Sequence, residues 1–499
     1  MVFSDPVFLV GFLPLSFLIY HLLRVFVGGT AGVWALVGLS LVFYAYWSVP
    51  FMLLLLGQIC VNYTLGRQLE KTPDRRVLAL AVLFNLCLLG YFKYRNFFLE
   101  NVGALVGVKF YLTNLVVPLG ISFHTFQQIA LLVDVRNRDT KLPPLLNYVL
   151  FVLFFPQLIA GPIVLHREMD KQLAAARNDQ GPGLGWFAVG VLIFILGLFK
   201  KVCLADNIAH YADVAFTPGR TLMMPEAWAG AVTYALQLFF DFSGYSEMAV
   251  GLGLMFGFKL PNNFLVPYSA TSMVEFWRRW HITMTRFFMM YLYTPLWLRS
   301  RRRLRRSQMF RNHPSAGLEF GLTVAIPTLV TFFLSGLWHG AGWTFICFGL
   351  VNGIGLIVNQ TWILAKLPSL PRVLGWLLTM LTTLVGLVYF RSSDLGQAHY
   401  ILHQMFIAST PLSVPAWLAP MLPFNPTVGT FTLFSELKDT VYCLCWVVLL
   451  GYLAMTLPPL AANPEALVPT RSKAFAMAAM AWLIVGLIGE PRTFLYFAF

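Results

Sequence analysis

Apolar stretches long enough to cross a bilayer recur along almost the whole of this chain, separated by short basic loops, and few patterns restrict a fold more. In lipid every backbone N–H and C=O must find its partner within the protein, so stretches of this kind fold as helices. The composition agrees: 11% of the 499 residues are charged and 58% are hydrophobic, with a mean hydropathy of +0.71. A soluble domain needs far more charge to cover its surface. The sequence therefore predicts an all-α, polytopic bundle of membrane helices.

Taken in order, Pro6 to Val27 is apolar, with no basic segment before it and no small-residue cleavage site, which predicts an uncleaved first span with its amino end outward. Ala31 to Ser48 and Pro50 to Gly66 follow, and RQLEKTPDRR (Arg67 to Arg76) then gives four basic residues in ten, a cytoplasmic loop. Val77 to Phe92 is closed by Lys93, Tyr94 and Arg95, which predicts a tilted or re-entrant element before Leu115. Leu115 to Val135 carries His124, Gln127, Gln128 and Asp134, too polar for lipid and so placed inside the bundle. Tyr148 to Leu165 is interrupted by Pro156, Gly161 and Pro162, Arg167 to Pro182 reads as an interfacial loop, and Gly185 to Phe199 ends on Lys200 and Lys201, a cytoplasmic anchor. Ala227 to Phe258, Leu318 to Gly336, Thr344 to Ala365, Gly375 to Phe390, Thr440 to Leu457 and Ala474 to Ile488 complete the apolar series. Each judged against ~20 residues per crossing, these give roughly eleven full spans. Re-entrant and interfacial helices join them around a central chamber, in one membrane domain over residues 1–499 with a motif core at 115–365 and C-terminal helices at 371–499.

The net charge of +14 sits in the short loops, as the positive-inside rule requires, and needs no nucleic acid to explain it. Its densest part is Arg299, Arg301, Arg302, Arg303, Arg305, Arg306 and Arg311, which reads either as an anchor on anionic lipid or as a funnel for a phosphate-bearing ligand. The six cysteines have unrelated spacings and define neither a disulfide framework nor a metal site. His399 and His403 share a helical face without a third ligand, and His166 and Asp170 miss the usual soluble-acyltransferase spacing by one residue. There is no GxxxxGK[ST] phosphate loop and no GxSxG elbow, which disfavours nucleotide-driven chemistry and serine hydrolysis.

Two groups of residues carry chemistry. In Thr331 to Phe345, TFFLSGLWHGAGWTF, His339 stands in an apolar run between Trp338 and Trp343, and Gly336, Gly340 and Gly342 allow another backbone or a thin ligand close approach. Gln237, Asp241 and Tyr245 recur every four residues and share one helical face, as helix-to-helix polar contacts or as chamber lining.

FWRRWHITM (Phe276 to Met284), followed about fifty residues later by GLWHG (Gly336 to Gly340), resembles the signature of the membrane-bound O-acyltransferase superfamily. LVFYAYW, GYFKYRNFF, PLGISFHTFQ, FFPQLIAGPI, DFSGYSEMAVG and the terminal FLYFAF resemble its bacterial branch that includes the alginate O-acetyltransferase membrane subunit. The resemblance implies His339 as the catalytic residue and His281 as a second functional histidine. It implies acetyl-CoA as the acetyl donor, with no permanently bound cofactor or metal. Arg278, Arg279, Trp280, Trp338, Asp241 and Tyr245 are then the candidate substrate contacts, and Arg301, Arg302 and Arg303 the candidate coenzyme A contacts. The implied setting is the bacterial inner membrane, among lipids and a polysaccharide synthesis and export complex. A periplasmic or membrane-anchored hydrolase-like acetyltransferase is the expected partner, because no soluble domain here selects a sugar hydroxyl.

Met289 and Met290 stand where alginate-type members carry Arg-Asp, and Leu296 to Arg299 replace Gly-Gly-Asn-Arg, so the acceptor polysaccharide is open among alginate, cellulose and others. The competing class is a transporter or flippase of a polysaccharide-export system, whose polar residues only line a path.

Overall fold

The computed structural model describes residues 1–112, 115–178, 184–307, 315–407, 413–422, 427–428, 431, 433–464, 467, 470–487 and 494–495. Among them eight helices are long and apolar enough to cross a membrane: Val7–Val27, Val49–Lys71, Arg75–Val106, Gly185–Ala215, Ala316–His339, Trp343–Leu364, Arg372–Arg391 and Leu437–Ala462. Other expected spans are carried by shorter or more polar helices, including Gly29–Ala45, Ile121–Asn137, Arg471–Leu487 and the 32-residue Met224–Met255. The described strands are a two-residue parallel pair, Ser413–Val414 with Thr427–Val428.

Three local expectations are corrected. Lys93 to Arg95 does not close a helix: a π-turn over Gly90–Tyr94 takes in Lys93 and Tyr94, and the helix runs on from Arg95 to Val106. Lys200 and Lys201 do not end one either, since the π-turn Lys200–Ala205 continues the helix to Ala215. A π-turn admits an extra residue without abandoning the backbone ladder, so a charge inside a long helix need not mark its end. The stretch taken as an interfacial loop after Leu165 instead forms the amphipathic helix His166–Arg177, with Glu168 accepting from the Leu165 N–H to close its first turn. Residues 179–183, Arg311 and, from the proline-rich stretch Pro411 to Pro426 between the last spans, both end residues lie outside the described residues.

The chain gathers into two compact units. The first takes Met1–Phe199, Ser243–Asn263 and Leu460–Ala498. Its interior carries a buried polar seam: Asn62 Nδ2 donates to Gln128 Oε1 at 3.0 Å, Asn85 and Gln58 join at 2.7 Å, and the Tyr148 hydroxyl donates to Gln128 at 2.9 Å. Such bonds tie helices together where lipid offers no alternative partner. Two glycine pairs bring backbones together in the same unit: a Cβ on Gly190 would stand 2.7 Å from the Gly251 carbonyl oxygen, and one on Gly197 2.5 Å from that of Gly244.

The second unit takes Lys200–Phe242 and Phe264–Pro459, and holds both GLWHG and the WHITM motif. Its densest contact is between Ile326–His339 and Trp343–Leu364. A Cβ on Gly336 would lie 2.2 Å from the Phe345 carbonyl oxygen, and one on Gly349 2.1 Å from that of Phe332. The glycines near His339 thus admit a neighbouring helix backbone, one of the two uses their spacing allowed.

Candidate active site

The WHITM motif breaks a helix at its histidine. Ser272 caps Met273–Arg279 by accepting from the Glu275 N–H, and the next helix, Ile282–Phe288, begins after His281. His281 itself has φ +43°, a left-handed conformation that costs a non-glycine residue about 1–3 kcal/mol and persists only where surroundings enforce it. Arg279 supplies part of that enforcement. It donates to the Ser269 hydroxyl at 2.6 Å, pairs with Glu275, and its carbonyl accepts from the Leu265 N–H at 2.9 Å. This bracing holds the turn through Val266, also left-handed at φ +50°.

So placed, His281 is fully buried. Its ring lies 4.8 Å from Phe242, edge to face, and 6.1 Å from Trp338. The residue lies outside the eight membrane-length helices, and burial pushes its pKa down to about 3, so the imidazole is neutral at ordinary pH.

His339 comes from the other motif as the last residue of its helix, where Gly340 turns extended and lets the chain return into Trp343–Leu364. It is 7% exposed and boxed by aromatic rings: Trp338 at 4.9 Å, Phe390 at 5.1 Å and Phe348 at 5.7 Å. Trp343, the next tryptophan along the run, is 51% exposed. Both histidines therefore face one indole, Trp338, itself 3% exposed. Phe390 was not foreseen, and no local pattern marks a phenylalanine so far along the chain.

The other candidates fall into different places. Trp280 is buried in an aromatic stack with Phe276 at 5.7 Å and Tyr268 at 5.9 Å. Arg278 is exposed, whereas Arg279 is committed to the turn. Arg301 covers the Trp297 ring at 5.1 Å, and Arg302 and Arg303 are exposed on the helix Thr294–Arg306. Tyr245 belongs to the first unit, where its ring stacks on Phe3 at 4.8 Å.

Asp241 is buried in an ion cluster that sequence reasoning missed. Its carboxylate lies 2.8 Å from the Lys201 ammonium, which lies 2.7 Å from Asp206. Lys201 and Asp206 are five residues apart, and the π-turn between them has the i to i+5 ladder that puts such a pair on one side. Lys201 is 2% exposed, so it is not the surface anchor that was expected. The next residue after Asp241 is Phe242, the ring against His281, so the cluster fixes the helix where it meets that histidine. A Lys and an Asp five apart within an otherwise apolar run was the available signal. His166, by contrast, is buried 3.9 Å from Asp170 in the first unit, where burial lowers its pKa against the raising effect of that carboxylate. Among the described residues no group of three His, Cys, Asp or Glu side chains could hold a metal ion.

Ionisable side chains sheltered inside a helical, multi-pass membrane protein mark paths for substrates, ions or protons. Residues 43–310, a stretch that contains His281 and stops before His339, match the membrane-bound O-acyltransferase family, and the chain belongs to that family. It is an O-acyltransferase. It is similar to the peptidoglycan O-acetyltransferase of Helicobacter pylori, 39% identical with 81% of this chain and 80% of the relative covered. A probable alginate O-acetylase of Azotobacter vinelandii is 38% identical over 81% of this chain and 78% of its own. Half of the chain is also 28% identical to 58% of the teichoic acid D-alanyltransferase of Streptococcus thermophilus.

Proposed function

We propose that this chain moves an acetyl group from cytoplasmic acetyl-CoA to a hydroxyl presented from the other side of the bacterial inner membrane, for O-acetylation of a cell-surface polysaccharide. The observation that carries the reading is the pair of buried imidazoles on one indole, with His339 at a helix end inside an aromatic box. His339 takes the proton of the acceptor hydroxyl as general base, and the oxygen attacks the thioester carbonyl. The C–S bond breaks, the thiolate recovers a proton, and an acetyl ester and free coenzyme A remain. His281, neutral and held by Phe242, orients the thioester beside Trp338. An ester replaces a thioester, so the step is near neutral or downhill and needs no nucleotide.

Charge order supports the direction. The arginine-rich helix Thr294–Arg306 precedes Ala316–His339, and Lys366 and Arg372 follow Trp343–Leu364. Basic ends mark the cytoplasmic side, so the His339 end of these helices faces away from it. Arg278 and the exposed Arg302 and Arg303, with Arg301, then meet coenzyme A phosphates on the cytoplasmic side. Alginate, peptidoglycan and teichoic acid in the relatives' names set the acceptor class as a cell-surface or cell-wall polymer. A periplasmic or membrane-anchored hydrolase-like acetyltransferase works with the chain at the outward mouth, beside the polysaccharide synthesis machinery.

The test is acetyl transfer in proteoliposomes loaded inside with labelled acetyl-CoA. His339→Ala, with normal expression and melting, is expected to lose about 10²–10⁴-fold in rate, the usual contribution of a general base. Retention of most of the transfer would overturn the assignment of His339, and absence of any thioester cleavage by the wild type would favour a transporter.

A further inference from the structure

Leu265 to His281 form a self-braced segment. Arg279 binds Leu265 and Ser269, the Thr271 N–H donates to Glu275 at 2.7 Å, and the rings of Tyr268, Phe276 and Trp280 stack on one another. These internal bonds hold the left-handed turn at His281. They do not set where its imidazole stands relative to His339, because none of them reaches the helices that wall His339.

Other bonds of the segment do reach them. The Tyr268 hydroxyl donates to the Ala235 carbonyl at 2.6 Å, on the helix Met224–Met255 whose Phe242 ring lies against His281. The Tyr268 carbonyl accepts from the Trp376 indole N–H at 2.8 Å, on the helix Arg372–Arg391 whose Phe390 ring lies against His339. Asn359 Oδ1 accepts from the Val274 N–H at 3.3 Å, on the helix Trp343–Leu364 whose Phe348 ring also lies against His339. The first N–H groups of a helix have no partner within it, and here one of them is capped from another helix. The backbones also meet closely: a Cβ on Gly375 would stand 2.7 Å from the Thr271 carbonyl oxygen.

We propose that Tyr268, Asn359 and Trp376 are positioning residues for acyl transfer, which dock the His281 segment on the helices that wall His339 and so set the distance between the two imidazoles. The proposal rests on the reading above, in which His281 orients the thioester and His339 acts as base. Met273–Arg279 has seven residues and begins at the Asn359 contact. A helix of that size is about 10 Å long, so a tilt of about 6° at its start moves the His281 end by about 1 Å. A misplacement of about 1 Å can cost about 10²-fold in rate. The three residues act through this distance rather than on substrate, so their removal lowers kcat and leaves KM alone.

The test follows coenzyme A release from acetyl-CoA by the full chain in proteoliposomes, with rates corrected for the folded fraction. Tyr268→Phe, Trp376→Phe and Asn359→Leu each remove one hydrogen bond and keep most of the side chain's bulk. Each is expected to lower kcat about tenfold or more, with the KM for acetyl-CoA within about twofold of the wild type. Asn359→Asp keeps the accepting oxygen and should restore kcat. A kcat close to the wild type in all three variants overturns the proposal. So does a loss that disappears on correction for the folded fraction, or one that Asn359→Asp fails to restore, since the contacts would then be packing only. His281→Ala separates this proposal from the reading beneath it. If His281→Ala is slow while the three variants are unimpaired, positioning alone is refuted; if His281→Ala matches the wild type, or the wild type releases no coenzyme A, the underlying reading falls.

Discussion

Replacing Lys201 by methionine keeps the length and apolar stem of the side chain and removes its charge. Lys201 sits near the middle of the 31-residue helix Gly185–Ala215 and is 2% exposed. Its ammonium lies 2.8 Å from Asp241, a side chain 1% exposed, and 2.7 Å from Asp206, 22% exposed. Removing one partner of such a pair leaves the other charge buried and uncompensated, which costs about 3–5 kcal/mol. Lys201→Met should lose stability of that size, whereas Asp241→Asn should lose less, because Lys201 keeps Asp206 at 2.7 Å. In the double variant neither charge of the pair is stranded, so its loss should fall short of the sum by about 2 kcal/mol or more. Denaturant unfolding in detergent micelles, followed by tryptophan fluorescence, reads all four corners of the cycle. Since Phe242 follows Asp241 and packs on His281, the single variants should also lose acyl transfer in proportion to the loosened ring. Additive losses, or a loss below about 1 kcal/mol for Lys201→Met, would show that the cluster is solvated and holds nothing.

Other outcomes follow from the same geometry. Gly336→Ala and Gly349→Ala each push a methyl group into a backbone carbonyl oxygen, 2.2 Å and 2.1 Å away, and overpacking of this kind costs about 1–3 kcal/mol; melting temperatures equal to the wild type would refute the crossing. His281 has a pKa near 3 in the fold against 6.5 when exposed, so between those values the unfolded chain holds a proton that the folded one does not. Stability from this residue is complete above pH ~6.5 and is lost as the pH falls, by about 2 kcal/mol at pH 5; His281→Gln should flatten that slope in unfolding curves, and an unchanged slope would place the titration elsewhere. Neutralising Arg301, Arg302 and Arg303 together should raise the KM for acetyl-CoA several-fold and leave kcat nearly unchanged. An unchanged KM would leave that helix as a membrane anchor only.

What could be read from one dimension, and what could not, divides along contact distance. The helices Val49–Lys71, Trp343–Leu364 and Arg372–Arg391 announce themselves because an apolar run in lipid has few alternatives to a helix. His339 stands out for the same reason, a polar group among apolar neighbours, whereas His281, beside Arg278 and Arg279, stands out only through the motif it shares with the family. Positive charge misleads. Lys93 and Lys201 read as helix ends because an exposed lysine marks the cytoplasmic side, yet each lies within a π-turn of a continuous helix. For Lys201 the deciding partner, Asp241, is forty residues away, and no local pattern reveals it. Arg279 misleads the other way. Beside a functional histidine it reads as a ligand contact, but its bonds to Ser269 and Glu275 hold the left-handed turns at Val266 and His281. Phe390 lies more than fifty residues beyond His339 and reaches it only because two helices, Trp343–Leu364 and Arg372–Arg391, run out and back between them. The motifs therefore locate the candidate reacting groups, while the groups that hold and surround them come from elements whose meeting depends on packing: glycine contacts, π-turns and buried ion pairs.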